Sequence, residues 1–222
     1  MTFIGIDFSI NSPSICINKD NNLSFVSFFN TNGDDWNRAT PLKKYTYHNE
    51  LKDVVKMVPY ERNGYKPIGT YSDYSTEQMS KMQDAVLIAN LITNEIATNT
   101  IGFPKIAIEG FAYGSKGMSF IDLILFNSFL RKNIVELFGV ENLIVISPKE
   151  AKKFAGNGNA DKEYMIGEFI KNTHNDETLN NSEFHKYIKD IFIDYKNIKP
   201  IDDLVDSYWI MKTAKEKYFG KW

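Results

Sequence analysis

Long apolar runs and cysteines are almost absent from this sequence of 222 residues. No run reaches the roughly eighteen apolar residues at which a membrane-spanning helix is predicted. The first residues enter an alternating strand pattern at once, without the basic region, apolar run and cleavage site of a signal peptide. The only cysteine, Cys16, lies in an apolar run and has no intrachain partner. We therefore expect a buried thiol in a reducing compartment and a cytoplasmic protein with no membrane contact. The abundance of Lys, Asn and Ile beside only three Arg suggests an AT-rich genome, such as that of a bacterium or a bacteriophage.

An excess of basic residues, which is common in nucleic-acid-binding proteins, is also missing. The formal net charge is −2, and only three arginines are present. Basic side chains bind DNA by releasing counterions from its phosphates, so this charge argues mildly against a DNA ligand. An acid-rich metal site would itself lower the total, however, and lysines do cluster locally. The clusters are Lys43 and Lys44; Lys149, Lys152 and Lys153; and Lys212, Lys215 and Lys217. Net charge therefore leaves a nucleic-acid function open.

Strand patterns open the chain, and strands and helices alternate after them. Alternation places Ile4, Ile6 and Phe8 on one face of a first strand. Further strands are predicted near residues 15–17, 23–29, 105–111 and 143–147, and helices over residues 76–98, 119–138, 149–154, 161–172, 182–195 and 201–219. Residues 31–74 are polar and rich in turn formers, with a short helix at 50–56. This order predicts an α/β fold with a mixed central β-sheet flanked by α-helices, and no linker divides residues 1–222 into two domains.

Two of the predicted helices have distinctive apolar surfaces. Spacing in the first predicts one apolar face, formed by Met79, Met82, Ala85, Val86 and Ala89. The helix at 119–138 is apolar on all sides, which is typical of a helix packed in a core and also suits a dimer interface. The residues concerned are Phe120, Ile124, Phe126, Phe129 and Leu130. Both interpretations of that helix stay open.

Acidic residues stand at two positions where strands normally carry apolar ones. Asp7 lies within the first strand, although aspartate is disfavoured in strand interiors. Glu109 ends the buried strand that begins near residue 105. By alternation, Asp7 shares its face with Gly5, and Glu109 shares its face with Ala107. These small neighbours predict that a helix or a ligand approaches the same face closely.

A third acidic site lies in the last predicted helix. Asp203 and Asp206 are three residues apart, so both project from one helical face. Taken singly, an acid at a strand end is usually solvated, and Asp202 or Asp203 near Pro200 could simply cap the helix. Taken together, the strand acids and the helical pair supply the oxygen ligands that hard divalent cations require. We therefore predict a site for two Mg²⁺ ions, which Mn²⁺ can replace, suited to phosphodiester hydrolysis.

A glycine-rich loop precedes the helix predicted at 161–172. Gly156 and Gly158 expose backbone N–H groups near a helix start, where a phosphate can bind. Asp161 is predicted to cap this helix, and Lys162 to point towards the substrate. An ordinary helix-preceding loop is the alternative.

These segments resemble the RuvC family of Holliday-junction resolvases. Residues 4–7 are similar to the family's opening strand, residues 108–109 to its second acidic strand, and residues 203–206 to its C-terminal acidic helix. Residues 156–162 match the family's G-x-G-x-A-(D/E)-K segment, and all four occur in family order across nearly the whole chain. The resemblance implies a ribonuclease H-like fold, four metal ligands, a lysine that stabilises the scissile phosphate, and a homodimer that cuts branched DNA such as a four-way junction. The ligands would be Asp7, Glu109, Asp203 and Asp206, and the lysine Lys162.

The resemblance also implies contacts with DNA outside the metal site. Lys152, four residues after Pro148, would contact a phosphate, with Lys153 as the alternative because the following segment is about one residue short. An aromatic wedge that opens bases would be Phe111 or Tyr113, and for Phe111 packing in the core is the competing interpretation. Relative to the compact family pattern, the chain carries elaborations around 31–74 and 172–199.

Three other functions are compatible with parts of the pattern. A ribonuclease H-like enzyme could cut RNA–DNA hybrids or flaps with the same four acids. Asp7-Phe8-Ser9 also fits the D-x-(G/S) phosphate loop of an actin-like ATP-binding protein or sugar kinase, but no second phosphate loop or adenosine segment accompanies it. A non-catalytic DNA-binding relative is the least favoured, because all four acids are present.

Overall fold

A six-stranded mixed β-sheet forms the centre of the computed structural model, which describes residues 1–31, 51–62, 74–111, 117–191 and 199–220. The strands are β1 (Thr2–Asp7), β2 (Ser14–Lys19), β3 (Asn22–Asn30), β4 (Lys56–Tyr60), β5 (Lys105–Glu109) and β6 (Leu143–Ile146). Their spatial order is β4-β3-β2-β1-β5-β6. β1, β2 and β3 form antiparallel pairs, whereas β5 runs parallel to β1, β6 to β5 and β4 to β3.

Helices cover both faces of this sheet. They are α1 (Tyr74–Asn99), α2 (Met118–Phe138), α3 (Pro148–Ala155), α4 (Lys162–Lys171), α5 (Glu177–Asn180), α6 (Glu183–Ile191) and α7 (Ile201–Ala214), which continues as a π-helical turn, Lys215–Phe219. Ile4, Ile6 and Phe8 pack with residues of α1 and α2 on one face, as alternation predicts. α7 covers the other face, together with α4 and α6. The predicted α/β fold class, with a mixed central sheet flanked by helices, is confirmed.

The first elaboration of the chain contains a strand that the sequence did not indicate. The predicted helix at 50–56 is wrong over residues 52–56, because residues 52–55 form a turn and a bend and Lys56 begins β4, where it pairs with Val26 of β3. β4 lies at the sheet edge and includes Pro59, and proline is tolerated in edge strands. Residues 32–50 and 63–73 lie outside the described part of the chain. In the second elaboration, α5 and α6 lie within residues 172–199.

The buried face of α1 differs from the predicted one. Ala85 and Ala89 are buried as expected, but Met79, Met82 and Val86 are 58%, 48% and 41% exposed. The buried stripe instead runs along the second half of the helix, through Ile88, Ile92 and Ile96. The predicted face failed because the first turns of α1 carry apolar residues that do not reach the sheet.

The prediction that α2 packs in the core holds for part of this helix. Phe126 and Leu130 are buried against α1 and the sheet, whereas Ile124 is 37% exposed. Phe129 packs at the margin of the same cluster. The dimer interface therefore loses Phe126 and Leu130 as candidates, and the homodimer itself stays a prediction.

The structure bears on two predictions about the environment of the chain, which concern the Cys16 thiol and membrane-spanning helices. Cys16 is a free, fully buried thiol, as predicted. Burial raises its pKa well above the usual value, which keeps it protonated and unreactive. Among the helices described, none combines the length and apolarity that a membrane crossing requires.

Candidate active site

The two strand acids lie side by side at the carboxyl ends of two central strands, β1 and β5, and these strand ends form one edge of the sheet. β1 and β5 are parallel neighbours, and their register pairs Gly5 with Ala107 and Ile6 with Ile108. The next residues on the two strands are Asp7 and Glu109. Because neighbouring strands are about 4.8 Å apart, the two side chains leave adjacent strand ends. The sequence predicted both acids, and the parallel pairing brings them together.

α7 packs directly on the backbone of β1. A Cβ atom added to Gly5 would lie 2.1 Å from the carbonyl oxygen of Ser207 and 2.5 Å from the amide nitrogen of Met211. Ala107, the neighbour of Gly5 on β5, packs in one cluster with residues of the same helix. The prediction that small residues on this face admit a close helix is confirmed.

The direction of α7 carries its acidic first turn over the strand ends. Phe3, two residues before Gly5, stacks at 6.1 Å on Phe219, beyond the end of the helix. The helix therefore runs antiparallel to β1. Two strand residues advance about 6.7 Å and four helical residues about 6 Å, so Asp203 lies level with Asp7. Ser12, just beyond β1, confirms this level, since its hydroxyl donates to Asp203 Oδ2 at 2.9 Å.

Asp202, adjacent to Asp203, is a site residue that sequence reasoning missed. Its side chain is 3% exposed, and its Oδ2 accepts a hydrogen bond from Lys162. Its Oδ1 is buried without a hydrogen-bond partner in the described part of the chain. The capping interpretation is not supported, because the N-cap of α7 is Pro200 and no side chain caps the helix. Two consecutive acids before an apolar helix were the available signal.

Two lysines provide the positive charge at this edge of the sheet. Lys199 contacts Asp203 Oδ1 and lies 3.6 Å from Asp202 Oδ2. Lys162, the predicted catalytic lysine, contacts Asp202 and lies 3.9 Å from Asp203 Oδ1. Lys199 was not predicted, because nothing in the sequence distinguishes it from the other lysines near the chain end. Both lysines partly compensate the acidic charge of α7.

A cavity of about 270 Å³ opens beside Glu109 and Asp206. Lys152 and Lys162 also line it, so two acids and two lysines lie around one cavity. Lys153, the alternative phosphate contact, is exposed and does not line the cavity. The structure therefore separates the two candidates by position and favours Lys152 as the one near the acids.

The acids of this site raise one another's pKa values. Burial raises the pKa of Asp7 well above its usual value, and the charges of Asp203, Asp206 and Glu109 add to the effect. Burial raises the pKa of Asp206 to about 7, with Glu109 as the next cause. Burial likewise raises the pKa of Glu109 to about 7, although Lys152 and Lys162 oppose it. The mutual repulsion shows that all four predicted ligands lie in one electrostatic neighbourhood.

The pKa of Lys162 responds in the opposite direction. Burial lowers it, but the hydrogen bond to Asp202 and the charges of Asp202, Asp203 and Asp206 outweigh burial and raise it above its usual value. Lys162 is therefore a permanent cation at neutral pH. A fixed ammonium beside the acids is suited to stabilise negative charge on a phosphate.

Without metal, wild type should lose stability as the pH rises, and we expect Glu109→Gln to be spared this loss. The pKa of Glu109 rises from 4.5 to about 7 on folding, so the folded state holds the proton more tightly. The stabilisation that this tighter proton binding gives the folded state is complete below about pH 4.5 and is lost between about pH 4.5 and 7. At pH 8 with a chelator the variant should be more stable by on the order of 2 kcal/mol, and at pH 4 the two proteins should match. Thermal denaturation across this range measures it.

Glu183→Gln is the control for this measurement, because Glu183 is 72% exposed and pairs with the exposed Lys186. Its melting curves should follow those of wild type at every pH. Parallel pH profiles for wild type and Glu109→Gln would contradict the proposed repulsion.

The glycine-rich loop holds α3 and α4 in place. Gly156 has φ = +136° and ends α3, donating its N–H to the carbonyls of Lys152 and Lys153 at 3.2 Å. That amide is therefore engaged in the protein, in contrast to the free phosphate donor that we predicted. Gly158, the second predicted DNA contact, lies in the turn beside Lys149. Asp161 caps α4 by accepting from the N–H of Tyr164 at 2.8 Å, as predicted, and so places Lys162 in the first turn.

Phe111 combines features of a core residue and of a site residue. Its ring meets Phe120 edge-on at 5.7 Å and lies 5.0 Å from the Arg131 guanidinium. It also lines the cavity beside Glu109. The wedge role stays a prediction. Tyr113, its alternative, lies outside the described residues.

The donor set at this edge of the sheet fits a divalent cation in its chemistry. It offers buried carboxylates that repel one another and an orphaned oxygen, Asp202 Oδ1, and Mg²⁺ prefers such oxygen ligands. Within the described ranges, no three acidic, histidine or cysteine side chains are already arranged to hold one ion. Lys199 contacts Asp203 instead. A metal ion at Asp203 would therefore have to displace this lysine.

Comparison with known proteins gives similar structures but no similar sequences. No protein-family model and no curated protein sequence matches the chain. RuvC from Thermus thermophilus is 11% identical, with a TM-score of 0.42, over 97% of this chain and 95% of that one. The same protein in complex with a Holliday junction substrate is 10% identical, with a TM-score of 0.43, over 97% of this chain and 93% of that one. The yeast mitochondrial Holliday junction resolvase is 15% identical, with a TM-score of 0.44, over 95% of this chain and 75% of that one.

Proposed function

We propose that the protein is a magnesium-dependent endonuclease that cuts branched DNA, above all four-way junctions. The observation that carries this proposal is the meeting of Asp7, Glu109, Asp203 and Asp206 at one edge of the sheet, beside Lys162. Four acids that are partly or fully buried beside one another cost stability unless a cation or a proton offsets them. A site that binds metal and phosphate accounts for that cost.

The four acids would hold Mg²⁺, and the lysines would hold the phosphate. Two bound Mg²⁺ ions supply Lewis acidity, which activates water and stabilises the leaving oxygen. Lys162 lies between the acids of α7 and the cavity, where its charge can act on a phosphoryl oxygen. Lys152 faces the same cavity from α3. Water would add to phosphorus and the bond to the 3′ oxygen would break, leaving a 5′-phosphate and a 3′-hydroxyl.

The preference for a junction rests on the motif resemblance. The ordered acids and the glycine-lysine segment resemble those of the RuvC family, whose members cut four-way junctions. Resolving such a junction takes two symmetric nicks, which two copies of the chain related by a two-fold axis would make. We therefore propose a homodimer. We also propose that it acts in the cytoplasm of a bacterial cell or a phage-infected host.

The decisive experiment compares substrates at equal concentration. A synthetic four-way junction, a flap, an RNA–DNA hybrid and a linear duplex are incubated with Mg²⁺, with Mn²⁺ and with a chelator. We expect paired nicks in the junction with either metal, little cutting of linear duplex, and none with the chelator. Preferential cutting of the hybrid would favour the ribonuclease H-like alternative. Metal-dependent ATP turnover without DNA cleavage would favour the actin-like one.

A further inference from the structure

The cavity beside Glu109 has lining residues that the proposed chemistry does not use. Besides the two acids and two lysines, its lining is mainly apolar. The apolar lining is Phe8, Phe111, Leu123, Pro148 and Met165. Metal ions and a phosphate group need only the charged residues. The apolar lining therefore indicates space for a different part of the substrate.

One uncharged polar residue, Asn127, joins the apolar residues in the lining of this cavity. It lies on α2 and is only 2% exposed. Its Oδ1 is buried without a hydrogen-bond partner among the residues that the structure describes. Its neighbour Phe126 and the nearby Leu130 belong to the hydrophobic core. A buried amide that leaves its oxygen unsatisfied destabilises a protein, so packing alone would favour an apolar residue at this position. Such a residue points to a ligand.

We propose that this cavity binds one unstacked nucleobase of the strand to be cut, and that Asn127 selects that base. The proposal rests on the nuclease function proposed above, because the cavity adjoins the acids where the scissile phosphate would lie. A group bound here must therefore belong to a nucleotide that flanks the cut. The volume, about 270 Å³, is slightly below the range of pockets for larger organic ligands, and it suits a single flat ring system.

The chemistry of the lining favours a nucleobase over a sugar. Phe8 and Phe111 offer aromatic surface on which a base can stack. A carboxamide both donates and accepts hydrogen bonds, and an asparagine pairs with adenine through two of them. We therefore assign adenine as the preferred base. The nucleotide concerned is one of the two that flank the scissile phosphate.

The route into the cavity follows from the position of Phe111. This predicted wedge lines the same cavity, so the side chain that would part the bases adjoins the space that would receive one. A base leaves a duplex only if its stacking and pairing are broken. At a branch point the arms separate and continuous stacking is interrupted, so a base there can enter the cavity at lower cost. The cavity would in this way contribute to the choice of branched DNA.

Asn127→Leu separates a ligand-binding role from a structural one. Leucine is similar in size to asparagine. Because Asn127 Oδ1 has no hydrogen-bond partner among the described residues, the substitution breaks no hydrogen bond of that atom. We therefore expect a melting temperature equal to or above that of wild type. Junctions that carry each of the four bases at either flanking position are then cut by both proteins. Wild type should prefer adenine on the order of tenfold, and the variant should show less than about twofold preference. The rate at which the variant cuts adenine-containing junctions should fall to its rate on the other three bases, because the contact that favours adenine is lost while the acids and lysines remain.

A matched control is Asn133→Leu on the same helix, because the Asn133 amide donates to Asn90 of α1 at 2.9 Å. This variant should keep the adenine preference of wild type. Asn127→Ser is the second test variant, since a hydroxyl pairs with several bases and should relax the preference. A marked drop in the melting temperature of both Asn127 variants would overturn the proposal by showing that the amide has a structural partner.

Base insertion can also be read without cleavage. A junction carries 8-vinyladenine, a fluorescent adenine analogue that keeps the 6-amino group and N7, at the flanking position, and metal-free protein is added. Fluorescence should rise on binding to wild type and to Asn133→Leu, and the rise should be at least halved with Asn127→Leu. Equal fluorescence with all three proteins, together with cutting that ignores the flanking base, would overturn the inference while leaving the nuclease intact. Failure of wild type to cut any branched DNA would instead refute the proposed function.

Discussion

Asp7→Asn is expected to abolish magnesium-dependent cutting of a four-way junction while junction binding is largely kept. Asparagine preserves the size of the side chain at the end of β1 but removes its charge. Asp7 interacts electrostatically with Asp203, Asp206 and Glu109, so this change weakens the proposed metal site at its centre. We expect the cleavage rate to fall by about 10³-fold or more, since the site supplies both the activated water and the charge stabilisation. Gel-based cleavage and mobility-shift assays measure the two properties.

The same variant should behave differently towards the metal itself. Without metal at neutral pH, Asp7→Asn should melt at a higher temperature than wild type, because burial and three neighbouring acids disfavour the charged Asp7. Mg²⁺ should raise the melting temperature of wild type in proportion to its binding, and should have much less effect on the variant. These readouts do not depend on catalysis.

Asp20→Asn provides the matched control, because Asp20 lies exposed in the turn between β2 and β3 with φ = +50°. Asparagine tolerates that backbone conformation, so folding, cleavage and the response to Mg²⁺ should all remain those of wild type. Cutting by Asp7→Asn at the wild-type rate would remove Asp7 from the mechanism.

Gly5→Ala is expected to have the largest effect on stability. The added Cβ would lie 2.1 Å from the Ser207 carbonyl oxygen and 2.6 Å from Met211 Cβ, distances at which atoms cannot remain. Because two of the opposing atoms belong to the backbone of α7, the helix as a whole has to move away from β1. We expect a loss of about 3 kcal/mol or more in the free energy of unfolding, measured by urea denaturation.

Catalysis should suffer with stability in this variant, because α7 carries Asp203 and Asp206 over the end of β1. Gly167→Ala is the control, since a Cβ at Gly167 meets nothing within 4 Å. Within a helix that substitution should stabilise by about 0.5–1 kcal/mol. Wild-type stability of Gly5→Ala would show that α7 is not seated on β1 as described.

Local patterns predicted the acids of the site but not their surroundings. Asp7 and Glu109 stood out because strands rarely end in acids next to small residues, and Asp203 and Asp206 because three-residue spacing places them on one helical face. Asp202 was taken only for a cap, since burial of a charged side chain cannot be read from its neighbours in sequence. Ser12 and Lys199 escaped notice because serines and lysines are common at surfaces, and only folding brings them to Asp203.

The helices show the same division. The strongly apolar α2 was predicted within one residue at its start, Met118. The buried face of α1 was misjudged, because the spacing of Met79, Met82 and Val86 suits a buried stripe, but the first turns of α1 project beyond the sheet. Burial depends on what lies opposite a helix, which periodicity does not describe.

The sequence by itself determined most of the strands and helices, although not β4, together with the face of β1 that enters the core and the chemical character of the candidate site. These depend on the periodicity of apolar side chains and on residue types, which are local. The tertiary structure alone decided that Lys152 rather than Lys153 lies near the acids, that Ser12 meets Asp203 across 191 positions of chain, and that Asn127 and Glu109 line one cavity. Such contacts depend on how closely α7 and α2 approach the sheet, and packing sets that distance only after the whole chain has folded.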